Sequence, residues 1–90
     1  MNKFGAETIA VRGGIETDSQ HGAVVPPIYL SSNYTFKGYD QPREYDYARR
    51  GNPTRSLLAR ALADLEGGAY GVMTSTGLSA ITTVIQLLNP

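Results

Sequence analysis

The strongest constraint on this chain is one strand-length segment with nothing to pair with. The run AYGVMTS, residues 69–75, is short and apolar and lies between two stretches with helical spacing. A lone strand between helices leaves its N–H and C=O groups without partners, and buried backbone groups are almost always paired. A parallel sheet needs at least one further strand, reached by a crossover connection. The coarse order of extended arm, helix, strand, turn and helix is the opening of an α/β unit with a parallel sheet. The sequence therefore reads as the front of a longer protein. Its ninety residues would bury only a modest share of their surface alone.

The two helical stretches carry their own punctuation. In NPTRSLLARALADLEGG, residues 52–68, Asn52 or Thr54 can cap and Pro53 suits the first turn. Leu57, Leu58, Ala61, Leu62 and Leu65 fall on one face, with Arg55, Arg60 and Asp64 mostly elsewhere. Gly67 and Gly68 end the helix. TGLSAITTVIQLLNP, residues 76–90, resumes the spacing through Leu78, Ile81, Val84, Ile85 and Leu88, and Asn89-Pro90 halts it. The first half is less regular. ETIAVRGGI predicts one or two helical turns closed by Gly13-Gly14. VVPPIYLSSNYTFKGYD carries a Pro pair among β-branched and aromatic residues, so it reads as extended chain and not a central strand. Residues 38–50 read as a loop.

Composition closes off several functions. Eight basic residues balance eight acidic ones, so no net field favours nucleic acid or an anionic membrane. There is no cysteine, which excludes disulfides, thiolate metal sites and cysteine nucleophiles. The single histidine, His21, cannot build a multi-histidine metal site, and no carboxylate or nucleophile near it makes it a base. Ser31-Ser32 lacks a neighbouring base and reads as a turn. Lys3 and Lys37 are the only lysines, and neither lies in an apolar run that would lower its pKa for Schiff-base chemistry. The N-terminus has no apolar core of signal-peptide length, and no run approaches a membrane span.

Two stretches can hold an anion. In TSTGLSA, residues 74–80, a strand-to-helix turn presents free N–H groups and the positive end of the peptide dipoles, with hydroxyls on Thr74, Ser75 and Thr76 and close approach at Gly77. Simple capping by Ser75 or Thr76 explains the same residues, and the glycine spacing of a P-loop or dinucleotide fold is missing. In YDYARRGNPT, residues 45–54, Tyr47 and Arg49 are two apart and point the same way in an extended loop, while Asp46 and Arg50 face elsewhere. A phenol and a guanidinium fork converging on one phosphate is sound chemistry. Solvated surface pairs among Asp46, Arg49 and Arg50, with tyrosines covering apolar surface, account for the stretch equally well.

Taken in order, TIAVRGG, VVPPIYLSSNYTF, YDYARRGNPTRSLLARALADLEGG and MTSTGLSAI resemble the Cys/Met metabolism family of pyridoxal-phosphate enzymes over nearly the whole chain. The resemblance implies an aspartate-aminotransferase-like (fold type I) α/β enzyme, a homotetramer built from dimers, with active sites between subunits. It implies an extended N-terminal arm and interface loop over residues 1–50 and the start of the cofactor-binding large domain over 51–90. By resemblance, Tyr47 and Arg49 reach across the interface to the neighbouring subunit's cofactor phosphate. Thr76 and the backbone of Gly77 and Leu78 hold the phosphate of the chain's own pyridoxal 5'-phosphate. Asp46 resembles an acid that meets the incoming amino-acid substrate in family members that run the synthase reaction. Ala48 stands where many relatives carry Ser, on the side turned away from Tyr47 and Arg49.

The implied activity is transsulfuration in the cytoplasm: replacement of the acyl group of an O-acylated homoserine by cysteine to give cystathionine. Cystathionine lyases and sulfide-capturing enzymes share the scaffold. The family's Schiff-base lysine, the aspartate paired with the pyridine nitrogen and the ring-stacking aromatic all lie later in the family chain, so these ninety residues alone are expected to be inactive. The rival expectation is a non-catalytic short chain that docks on a full-length relative and lends it Tyr47 and Arg49.

Overall fold

The computed structural model describes residues 4–88; Lys3 and the Asn89-Pro90 stop lie outside them. The described residues contain three helices: α1 (Ala6–Arg12), α2 (Pro53–Glu66) and α3 (Gly77–Ile85). Each forms for local reasons. In α1, Glu7 in the first turn and Arg12 in the last complement the helix dipole. α2 has the capping that its sequence predicts. The Asn52 side chain accepts from the Thr54 N–H, Pro53 opens the first turn, and Gly67 ends the helix at φ 71°. That left-handed closure favours glycine because it has no Cβ to clash.

α1 packs on α2 through its glycine end. A β-carbon at Gly14, where φ is +78°, would come 2.8 Å from Cδ2 of Leu57, and one at Gly13 would come 3.2 Å from the Ala61 Cβ. Residues 23–37 then run extended across the N-terminal end of α2. The Tyr29 N–H donates to Oγ1 of Thr54 at 2.8 Å, and Nδ2 of Asn52 donates to the Tyr29 carbonyl at 3.2 Å. Residues 46–48 lie antiparallel to residues 32–34 around an isolated bridge between Asn33 and Tyr47. There the Ala48 N–H donates to the Ser32 carbonyl at 2.7 Å and the Tyr34 N–H to the Asp46 carbonyl at 3.3 Å.

Three expectations need correction. Residues 69–75 form no β-ladder; the segment passes over α2 without a neighbouring strand among the described residues. The crossing is tight, since a β-carbon at Gly71 would land on the carbonyl oxygen of Ala59 and 3.0 Å from its carbonyl carbon. The core stripe of α2 also differs. Ala59 and Ala63, beneath that crossing, are the buried residues, whereas Leu58, Leu62 and Leu65 stay exposed. Small side chains are buried because backbone lies directly on them; Leu58, Leu62 and Leu65 stay 50%, 42% and 37% exposed. Finally, α3 stops at Ile85 and not at Leu88. Its last turn tightens to i→i−3 bonds, from Leu87 N–H to Val84 and from Leu88 N–H to Ile85.

The result is open. The radius of gyration is 15.7 Å, against roughly 12 Å for a compact chain of this length. α3 packs on neither α1 nor α2, and Leu78, Ile81, Val84, Ile85 and Leu88 are all exposed.

Candidate phosphate-binding site

Two groups of anion donors emerge from this frame. The first is on the loop between the arm and α2. Its backbone is closed by a turn in which the Arg50 and Gly51 N–H groups both donate to the Tyr47 carbonyl at 3.0 Å. The Tyr47 and Arg49 side chains come together, with Cζ of Arg49 5.3 Å from the Tyr47 ring centroid. That is cation–π distance, so the guanidinium and the phenol ring are neighbours. Both residues are exposed. Asp46 and Arg50 pair with each other, Nη1 to Oδ2, at 2.8 Å. The surface-pair reading of this stretch thus describes Asp46 and Arg50, while Arg49 has no carboxylate partner among the described residues.

Asp46 is the less exposed member of its pair, at 28% against 78% for Arg50. Its carboxylate is engaged, but by a solvated cation whose hold is weak. Ala48 faces away from Tyr47 and Arg49, toward α2 and Met73, where it borders an open groove of roughly 570 Å³ with Arg55, Leu58 and Thr74.

The second group is the start of α3. Oγ1 of Thr76 accepts from the Ser79 N–H at 3.0 Å, so Thr76 is the cap and satisfies one of the helix's open donors. The Thr76 carbonyl accepts from the Ala80 N–H at 3.2 Å. Oγ1 of Thr74 turns back to the Thr76 carbonyl at 2.9 Å and stiffens the approach. Gly77 and Leu78, the first two helical residues, keep N–H groups with no acceptor among the described residues. A β-carbon at Gly77 would meet nothing within 4 Å, so this glycine leaves open space and does not serve close packing. In this turn the Thr76 hydroxyl oxygen accepts the cap bond, and the backbone donors left without an acceptor among the described residues belong to Gly77 and Leu78.

A phosphate dianion fits either donor set: a guanidinium with a phenol, or two backbone N–H groups at a helix start. Neither Tyr47 and Arg49 nor Gly77 and Leu78 line the groove between the loop and residues 73–75. Sequence reasoning named both sets but passed over Asn52 and Arg55 as more than helix residues. Nδ2 of Asn52 also donates to the Tyr34 hydroxyl at 3.1 Å. Nη2 of Arg55 lies 3.0 Å from the Ala48 carbonyl and 3.5 Å from that of Arg49. The only available signal was their proximity to the loop.

The other candidates have structural roles or none. His21 is exposed, and its backbone N–H donates to Asp18 at 3.2 Å. The Asp18 carboxylate also accepts from the N–H groups of Ala23 and Gln20. The Ala23 bond is the main reason that the Asp18 pKa falls below its ordinary value. Oγ of Ser31 donates to the Asn33 carbonyl at 2.6 Å, as a turn residue would. Lys37 is exposed. No group of three or more potential metal ligands occurs among the described residues, and no described helix is long and apolar enough to cross a membrane.

Residues 7–90 match the Cys/Met metabolism PLP-dependent enzyme family. The cystathionine gamma-synthase of Escherichia coli (strain K12) is 62% identical over 77 residues, covering 86% of this chain and 20% of that protein. The cystathionine beta-lyase of Lactococcus lactis subsp. cremoris (strain MG1363) is 48% identical over 83 residues, covering 92% and 22%. Among solved structures, cystathionine gamma synthase from Xanthomonas oryzae pv. oryzae in complex with cystathionine superposes with a TM-score of 0.89 at 58% identity, covering 94% of this chain and 22% of that one. The chain thus spans about a fifth of the length of the curated relatives it matches.

Proposed function

Because the chain belongs to the Cys/Met metabolism PLP-dependent enzyme family, we propose that it supplies the phosphate grips of a cystathionine-forming enzyme. Residues 1–50 serve as arm and interface loop, and 51–90 open the large domain of a fold type I enzyme. The reaction is γ-replacement: the acyl group of an O-acylhomoserine leaves Cγ as a carboxylate, and the cysteine thiol adds there with loss of its proton. The 62% identity to a cystathionine gamma-synthase, against 48% to a cystathionine beta-lyase, carries the choice of reaction.

When bound, pyridoxal phosphate supplies the electron sink for charge that develops on the substrate carbon. The residues of this chain act at the other end of that group. Arg49 donates its fork to phosphate oxygens and Tyr47 adds its hydroxyl, both preset by their contact at 5.3 Å. Gly77 and Leu78 offer two N–H donors at the positive end of α3, with Thr76 holding the turn in shape. The division of these donors between two places supports a homo-oligomer in which the loop serves a neighbouring subunit and the start of α3 serves its own. Asp46 exchanges the solvated Arg50 for the ammonium of the incoming amino acid. The setting we propose is cytoplasmic metabolism.

The test is a product assay on the family-length enzyme that carries these residues. O-succinyl- or O-acetylhomoserine with cysteine should give cystathionine, followed by mass spectrometry. Cleavage of added cystathionine to pyruvate or 2-oxobutanoate, with no cystathionine formed, would move the assignment to a lyase.

A further inference from the structure

We propose that Arg55 is a positioning residue that aims Arg49, the neighbour of Tyr47 in the loop, by gripping the backbone on either side of the Arg49 Cα. The inference rests on the proposed phosphate role of that pair. Arg55 is the third residue of α2 and does not point at the donors themselves. Its Nη2 lies 3.0 Å from the Ala48 carbonyl and 3.5 Å from the Arg49 carbonyl. Those carbonyls belong to the two peptide units that flank the Arg49 Cα. The orientation of those two planes sets the direction in which the Arg49 side chain leaves the backbone. One guanidinium nitrogen thus holds the first plane at 3.0 Å and reaches the second at 3.5 Å, the outer limit of a hydrogen bond.

The rest of the loop shows why this grip matters. The Tyr47 carbonyl is held by the Arg50 and Gly51 N–H groups, and the Ala48 N–H is held by Ser32. These bonds fix the loop up to Ala48 and close the turn after it. No other side chain among the described residues bonds the Ala48 or Arg49 carbonyl. Without Arg55 the Ala48–Arg49 plane keeps no bond among the described residues, while the Arg49–Arg50 plane keeps only its Arg50 N–H bond to the Tyr47 carbonyl, and Arg49 sits on that pivot. Arg55 itself stands on a firm base, because α2 is capped by Asn52 and crossed closely at Ala59 by Gly71. A charged donor to a carbonyl is also stronger than a neutral one.

The experiment is a double-mutant cycle on the dissociation constant of pyridoxal phosphate. Apoenzyme of family length is titrated with the cofactor and followed by fluorescence, with no turnover required. The variants are Arg55→Met, Arg49→Met and both together, with Arg55→Lys as the milder change should Arg55→Met fail to fold. Arg55→Met should weaken binding by about tenfold with Arg49 present and by less than about twofold once Arg49 is gone, because coupled neighbours are not additive. Arg55→Lys should fall between wild type and Arg55→Met. An equal loss in both backgrounds would mean that Arg55 acts as a distant charge or through general stability, and would overturn the proposal. So would unchanged binding in Arg55→Met while Arg49→Met binds weakly. If Arg49→Met itself binds like wild type, the phosphate reading of the loop falls, and the positioning role falls with it.

Discussion

Asn52 joins three parts of the molecule, and removing its side chain should loosen all three. Its Oδ1 accepts from the Thr54 N–H at 2.8 Å, while Nδ2 donates to the Tyr29 carbonyl at 3.2 Å and the Tyr34 hydroxyl at 3.1 Å. Asn52→Ala loses the cap, about 1 kcal/mol. It also loses two partly solvated hydrogen bonds, about 0.5–1 kcal/mol each. The junction of arm, loop and α2 should therefore open more easily by about 2–3 kcal/mol, or roughly 30- to 150-fold in the opening equilibrium. Asn52→Asp separates the contributions. It keeps the cap acceptor and adds a favourable negative charge at the helix start, but it loses the donor and sets an anionic oxygen against the Tyr29 carbonyl. Its cost should fall between zero and that of Ala. The assay is amide hydrogen exchange at Thr54 and Tyr29, whose N–H groups are bonded to Asn52 and to Thr54 respectively. Protection at least as high in Asn52→Asp as in wild type would refute the argument, because the donor bonds would then contribute nothing.

Gly71→Val should lift residues 69–75 off α2, since its β-carbon would strike the Ala59 backbone and not a side chain that can turn away; cleavage by a protease after Tyr70 should become faster, and an unchanged rate would contradict the crossing. Arg50→Gln should alter stability by no more than about 0.5 kcal/mol, because its pair with Asp46 is a surface one and Arg50 is 78% exposed; a drop in melting temperature of more than a few degrees would show that the pair does more. Asp18 is stabilised as the carboxylate by backbone N–H groups, so its folded pKa lies below the ordinary 3.8. Its contribution is present above that ordinary value and is lost as pH falls through the folded pKa. A carbon-13 titration of the Asp18 carboxyl should find a midpoint below 3.8, and one at or above it would reject the three-donor clamp.

What was legible in the sequence is what is decided locally. α2 could be bounded almost to the residue because Asn52, Pro53 and Gly67 act on their own turns. The pairs Tyr47 with Arg49 and Asp46 with Arg50 are also local, but they are brought together by the turn that the Arg50 and Gly51 N–H groups close on the Tyr47 carbonyl, and not by alternation along an extended loop. The α2 core was illegible for the opposite reason. Leu57, Leu58, Ala61, Leu62 and Leu65 make the better apolar stripe by periodicity, yet backbone contact at Gly71 selects Ala59 and Ala63 for burial. A close crossing rewards the absence of side chain, and hydrophobic pattern counts only its presence.

The same distinction bears on the site. Tyr47 and Arg49 announce themselves by chemistry, since few residue types can meet a phosphate with a phenol and a fork. Asn52 and Arg55 act on backbone carbonyls, which every residue has, so their targets leave no trace in the sequence. A residue that holds a ligand is constrained by the ligand's chemistry; one that holds the backbone is constrained only by position. On that reasoning, Arg55 and Asn52 should tolerate conservative replacement less well than their exposed, polar surroundings suggest. Exposed Arg60 and Asp64, which make no side-chain bond of this kind among the described residues, give the contrast within the same helix: their alanine variants should leave both amide protection at Thr54 and cofactor affinity unchanged. A loss of protection in Arg60→Ala equal to that in Asn52→Ala would place the tie between arm and helix elsewhere along α2.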